Sequence, residues 1–185
     1  MIVEMSREIL WKPPEQRSKN AALAKYMDWL KKYYSLNFST YQDLWEWSIN
    51  DLEQFWETIW LYFDLKSSQP YSKIQGQKKM PGAEWFIDCE LNYVEQLLRA
   101  KDITPHKMAI VSYSETHGKE TLTWSELSQQ VSSLADHFKK MGVIKGDRIV
   151  AVLPNTPAAL IAFLASASLG AIWSICAPDM GHVAI

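Results

Sequence analysis

Glycine is scarce and solitary in this chain. The 185 residues hold seven glycines, and none stands in a P-loop or GxGxxG pattern. No segment is therefore built to cradle phosphates through clustered backbone amides. Cysteine is rarer still: Cys89 and Cys176 show no metal-ligand spacing and read as two reduced thiols of a cytoplasmic protein. The four histidines, His106, His117, His137 and His182, are dispersed, with no carboxylate or thiol at ligand or catalytic spacing. Charge of one sign is lacking too. Nineteen basic residues meet twenty-one acidic ones for a net −2, and no block of like charge reaches five. That excludes the electrostatic footprint of a nucleic-acid or anionic-membrane binder. The opening MIVEMSREILWKPP has neither the basic start nor the long apolar stretch of a secretory leader. Internal repeats and low-complexity tracts are absent.

Tryptophan is what the chain has in excess. Six of its nine precede Ile74, so the N-terminal part should own a packed apolar surface. A second conspicuous stretch runs from Arg148 to Asp179 with no charge between them, long enough to suggest a membrane span. Its punctuation argues otherwise. Thr156 and Pro157 read as N-cap and first helical residue, Gly170 as the residue after a helix end, and AIWSICA as a strand. The expectation is a buried strand–helix–strand unit.

Leu23, Tyr26, Leu30 and Tyr33 lie on one helical face, and this is the one helix expected in the first forty residues. The preceding LWKPPEQRSKN reads as irregular. Thr40 to Asp43 resembles a capping box, and a second start at Asn50 to Glu53 predicts two helices meeting at an angle. Residues 66–82 read as a polar loop lying over a surface. Asn92 should cap a short helix carrying Val94, Leu97 and Leu98. MAIVSY and ETLTW predict a hairpin about His117-Gly118. Thr123 to Glu126 is a full capping box opening a long helix through Leu127, Val131, Leu134 and Phe138, closed by Gly142. From Thr121 to Gly181 the order strand, helix, strand, helix, strand implies a parallel sheet covered on both faces. The chain stops where the next covering helix is due. The fold class is α/β, with a helical, Trp-rich segment over 1–104, the beginning of a parallel-sheet domain over 105–181, and a tail over 182–185. The boundary is placed near 99–105.

LTWSEL, KKMGVIKGDRIVAVLPN and LASASLGAIWSICAPD, in that order, resemble the opening of adenylate-forming acyl-CoA synthetases. PGAEWF followed by LNYVEQLL resembles the segment that precedes the main domain in the acetyl-CoA synthetase relatives. ILWKP, FWETIWLYFDL and WSICAPDMG bring it nearest the acetoacetyl-CoA synthetase (acetoacetate–CoA ligase) branch. The resemblance covers residues 9–181. It implies a ligase that uses ATP and magnesium to make an acyl-adenylate and then transfers the acyl group to CoA. The shared motifs are structural in themselves: Lys145-Gly146-Asp147 is a tight turn, Pro154 ends a strand, and the Ala and Ser residues of 158–168 let a helix lie close to a sheet.

The family's Ser/Thr/Gly-rich nucleotide loop, acidic metal ligand and catalytic lysine have no counterpart in this sequence. No catalytic, cofactor-binding or metal residue is assigned, and no cofactor is expected to bind these residues alone. The weaker candidates have plainer readings. Asp179 follows a strand end, His182 lies in a short tail, Lys78 and Lys79 sit in a polar loop, and Cys89 replaces part of a proline–glycine turn. The expectation is an inactive, truncated form. The alternatives are the N-terminal part of a split ligase that pairs with a separately encoded remainder, a non-enzymatic Trp-rich interaction module, and a membrane-anchored protein.

Overall fold

The computed structural model describes residues 10–116 and 118–181, so the readings of His117 as a hairpin tip and of His182 as a tail residue lie outside it. Two compact units form. One comprises the residues up to Leu65 with Tyr71–Ile87; the other comprises Lys66–Pro70 with the residues from Asp88 onward.

The first unit is built on helices α1 (Glu15–Lys19), α2 (Ala22–Tyr34), α3 (Tyr41–Asn50) and α4 (Leu52–Tyr62). Helix α1 corrects the expectation of a single early helix. Pro14 sits at its N-cap with φ −55°, and a proline there sacrifices no helical hydrogen bond. Tyr26 and Leu30 of α2 are buried, whereas Leu23 and Tyr33, expected on the same stripe, are exposed. The Tyr33 ring instead lies 5.5 Å from Trp29. Thr40 and Asp43 form the reciprocal capping box of α3, with Thr40 N–H donating to Asp43 Oδ2 at 2.9 Å and Asp43 N–H to Thr40 Oγ1 at 3.1 Å. The second start falls one residue later than expected, since Asp51 accepts from Gln54 N–H at 3.2 Å. Tyr26, Leu30 and Leu44 make a core ringed by Trp29, Trp47, Phe55 and Tyr62, which meets the expectation of a packed aromatic segment.

Residues 66–82 are more than a loop. Strand β1 (Lys73–Gln75) pairs antiparallel with β2 (Trp85–Ile87), and Gln75 is 3% exposed. A three-residue strand gives too few alternating positions to stand out against its polar neighbours. Phe86 holds φ 48°, costly for a bulky residue, and its ring is packed between Trp60 at 4.8 Å and Tyr71 at 5.3 Å.

The second unit runs α5 (Tyr93–Leu98), α6 (Ala100–Ile103), β3 (Met108–Ser114), β4 (Gly118–Thr123), α7 (Trp124–Lys140), β5 (Arg148–Val152), α8 (Pro157–Ser168) and β6 (Ile172–Cys176), then a 3₁₀ turn over Pro178–Met180. Strands β3 and β4 form the expected antiparallel hairpin, and β5 and β6 pair in parallel. The first strand of the predicted strand–helix series therefore belongs to the hairpin, and the parallel sheet holds two strands among the described residues. Local pairing across a short turn closes a smaller loop than a crossover connection does. Helix α8 begins at Pro157 as expected, although the Thr156 hydroxyl makes no cap bond. Gly170, at φ +72°, reverses the chain after it, and a Cβ there would come 3.0 Å from Lys145 Cγ. No helix among the described residues is long and apolar enough to cross a membrane. Alanine and serine keep α8 slim, so Leu164 and Ala165 pack among Leu127, Val131 and Ala135 of α7.

Glu126 accepts from Thr123 N–H at 2.8 Å and Thr123 Oγ1 accepts from Glu126 N–H at 3.2 Å, the capping box predicted for α7. Bonds from the Thr123 backbone and then its hydroxyl hold the Glu126 carboxyl below its ordinary 4.5. Those at Thr40 hold Asp43 below 3.8. A depressed carboxyl stabilises the fold above its unfolded-state value and loses that contribution as pH falls through the folded one. Thermal melts should therefore show a fall in stability beginning near the ordinary carboxylate range and continuing below it. Glu126→Gln should make that fall shallower; an unchanged slope would count against the cap.

Candidate functional site

The two-stranded parallel sheet offers the one arrangement in which α/β proteins habitually place ligands, the carboxyl ends of neighbouring strands. Register runs from Arg148↔Ile172 to Val152↔Cys176, and Leu153 N–H extends it to the Cys176 carbonyl at 3.2 Å. The chain then turns through Ala177, Pro178 and Asp179. Asp179 is exposed in its 3₁₀ turn, as are His106 in the turn before β3 and His137 in α7. Among the described residues, no three His, Cys, Asp or Glu side chains gather where a metal ion could be held. The donor set at this end does not fit a magnesium–nucleotide site.

Beside the sheet the second unit carries two clefts that share Asn92, Glu95 and Ser168. One, of about 510 Å³, sets Glu95 and Asp102 against Arg99 and Lys101, with Ser128 and Ser132 at its wall. Opposite charges in equal number leave no net pull on an anion. The other, of about 500 Å³, is lined by Cys89, Glu90, Lys145 and Gly170. No histidine lines either cleft among the described residues, so neither sets an imidazole base beside a hydroxyl or thiol. Cys89 and Cys176 are both free thiols and half-buried. Lys78 lies 3.6 Å from Glu53 Oε1 in the first unit. That unit also holds an apolar groove of about 390 Å³ lined by Leu23, Tyr26, Trp45, Phe55 and Phe63 among others.

Among the residues the two clefts share is Asn92. Its Oδ1 accepts from Val94 N–H at 2.9 Å, capping α5, while its Nδ2 donates to the Ala167 and Ser168 carbonyls at 2.9 and 3.4 Å. One amide thus serves unsatisfied backbone groups at the start of one helix and the end of another. The cap is legible from Asn92 preceding an apolar helix; the second attachment, 75 residues away, leaves no local signal. Asn92→Ala should lower stability by about 1–3 kcal/mol, the loss of a cap together with orphaned carbonyls. Asn92→Asp keeps the acceptor but presents a carboxylate to the carbonyl end of α8, so it should be no better than alanine. An aspartate variant as stable as the parent in urea denaturation would refute this arrangement.

Comparison with known proteins agrees with the geometry. Residues 41–97 match the family model "Acetyl-coenzyme A synthetase N-terminus", and residues 98–185 match "AMP-binding enzyme". The chain is 35% identical over 182 residues to an acetoacetyl-CoA synthetase of Danio rerio, covering 96% of this chain and 26% of that protein. It is 31% identical over 181 residues to a malonamoyl-CoA synthetase of Penicillium aethiopicum, covering 95% and 25%. The solved acetoacetyl-CoA synthetase from Streptomyces lividans superposes with a TM-score of 0.89 at 39% identity, covering 95% of this chain and 27% of that one. The chain therefore spans about a quarter of the length of its relatives. In sequence and in fold the chain is similar to the amino-terminal part of the acetoacetyl-CoA synthetases.

Proposed function

We propose that these residues form the amino-terminal scaffold of an ATP-dependent ligase that joins acetoacetate to CoA. The observation that carries this reading is the superposition on an acetoacetyl-CoA synthetase over 95% of the chain at 39% identity. In such a reaction the carboxylate attacks the α-phosphate of ATP, pyrophosphate leaves, and the thiol of CoA then displaces AMP from the acyl-adenylate. Magnesium, balancing phosphate charge, and a cation at the developing bond are the expected aids. The described residues fit neither duty. Their contribution is a packed platform: Asn92 fixing α5 to α8, the α7–α8 core, and the parallel pair β5–β6. Two free thiols suit a reducing, cytoplasmic setting.

A chimera tests the reading directly. This chain would replace the matching quarter of the Streptomyces lividans synthetase, and acetoacetate-dependent pyrophosphate release would be measured. The chimera should turn over, and the 185-residue chain alone should not. A folded but inactive chimera would remove the ligase assignment, while activity of the chain alone would remove the scaffold assignment.

A further inference from the structure

A serine inside a helix can return its hydroxyl to a carbonyl of the preceding turn, and a buried one that does not is left as a polar group without a partner. Helix α8 follows the first course: Ser166 and Ser168 donate to the Ala162 and Ala165 carbonyls at 2.8 and 2.7 Å. Ser128 of α7 does not. It is 6% exposed and lines the cleft of about 510 Å³, and its hydroxyl has no hydrogen-bond partner among the described residues. Ser132 stands one turn further along α7 on the same cleft. The remaining lining is charged in both signs. Glu95 of α5 and Lys101 and Asp102 of α6 are exposed, and among the described residues none of the three side chains forms an ion pair or a hydrogen bond. Arg99 adds a second cation and Leu98 an apolar patch. A lone anion would meet two carboxylates here and a lone cation two basic groups, so neither is favoured by itself. A molecule with one charge of each sign satisfies both.

We propose that this cleft binds a free α-amino acid with an apolar side chain. Lys101 and the hydroxyls of Ser128 and Ser132 take its carboxylate, Glu95 and Asp102 take its ammonium group, and Leu98 receives its side chain. Charge-assisted hydrogen bonds at both ends fix the orientation, and the cleft volume lies in the range of small-molecule sites. Exposed charges alone are screened by salt; the buried hydroxyl is what gives the site a specific, desolvated contact. Every group used belongs to the second unit, and the inference does not depend on the scaffold reading.

Calorimetric titration of the full chain with phenylalanine is the test. One molecule should bind per chain, with saturation at millimolar concentration or below. Removing either charge from the probe should weaken binding at least about tenfold, as read with 3-phenylpropanoate and with 2-phenylethylamine. Ser128→Ala should weaken phenylalanine binding about tenfold and leave the melting temperature unchanged, because the hydroxyl makes no bond within the fold. A lower melting temperature would give that hydroxyl a structural partner and overturn the proposal. Lys101→Met should weaken binding at least about tenfold. Lys139→Met, exposed on α7 and outside the cleft, should change nothing. Absence of a saturable signal, equal binding of either singly charged analogue, or binding indifferent to Ser128→Ala and Lys101→Met would each overturn the site. The covalent chimera with the Streptomyces lividans synthetase should bind phenylalanine as well. A folded chimera that does not would mean that other segments fill the cleft, which also overturns the site; its ligase turnover remains the separate measure of the scaffold reading.

Discussion

Leu164→Ala should destabilise the second unit by about 2–5 kcal/mol, the range for emptying a fully enclosed leucine site. Leu164 is 0% exposed at the meeting of α8 with α7, beside Ala165 and Ala135. Those small neighbours have no side-chain length with which to fill the space, so most of the cavity should persist. The loss should appear in urea denaturation as a lower midpoint at an unchanged slope. Leu160, on the same helix but 39% exposed, is the control: its alanine variant should lose about 1 kcal/mol or less. Equal losses at the two sites would mean that α8 is not seated as described.

The second large effect concerns a buried hydroxyl pair. Tyr26 Oη and Thr58 Oγ1 lie 2.7 Å apart, and Thr58 Oγ1 itself donates to the Phe55 carbonyl at 2.7 Å. The Tyr26 hydroxyl is therefore the donor to Thr58. Burial pushes the Tyr26 phenol above its ordinary value of 10.0. Thr58→Val strands a buried donor and should cost about 1–3 kcal/mol. Tyr26→Phe leaves Thr58 bonded to Phe55 and should cost about 0.5–1.5 kcal/mol. The double variant removes both hydroxyls and should be less destabilised than the sum of the single ones. Additive losses would show that the pair is not coupled.

What could be read in advance was local. The boxes at Thr40–Asp43 and Thr123–Glu126 are closed by atoms three residues apart, so four letters of sequence hold the whole interaction. Pro157 and Gly170 mark α8 by backbone restrictions that belong to the residues themselves. What escaped was non-local or brief. Helix α1 follows a proline pair that bars a helix before it but not after it. Strand β1 owes its existence to Trp85–Ile87, twelve residues on from Lys73 to Trp85, and its burial at Gln75 has no pattern of its own. Tyr33 fits the periodic stripe of α2 yet is exposed, and at that end of the helix Tyr34 packs against the core instead. For the site, the strand end and the scattered histidines were legible as weak candidates, and of these Asp179, His106 and His137 are exposed. The Asn92 bridge was not, since a side-chain amide advertises one neighbour at a time.

That bridge also bears on the order in which the chain acquires its shape. The Asn92 side-chain Oδ1 engages Val94 N–H two residues ahead, which a nascent polypeptide does on the timescale of a single helical turn. The amide nitrogen must wait for Ala167, and so for everything threaded between them. A substitution that touches the early bond should slow refolding, and one that touches only the late bond should hasten unfolding instead. Asn92 is thus a clock with two hands, started by its own helix and stopped by another.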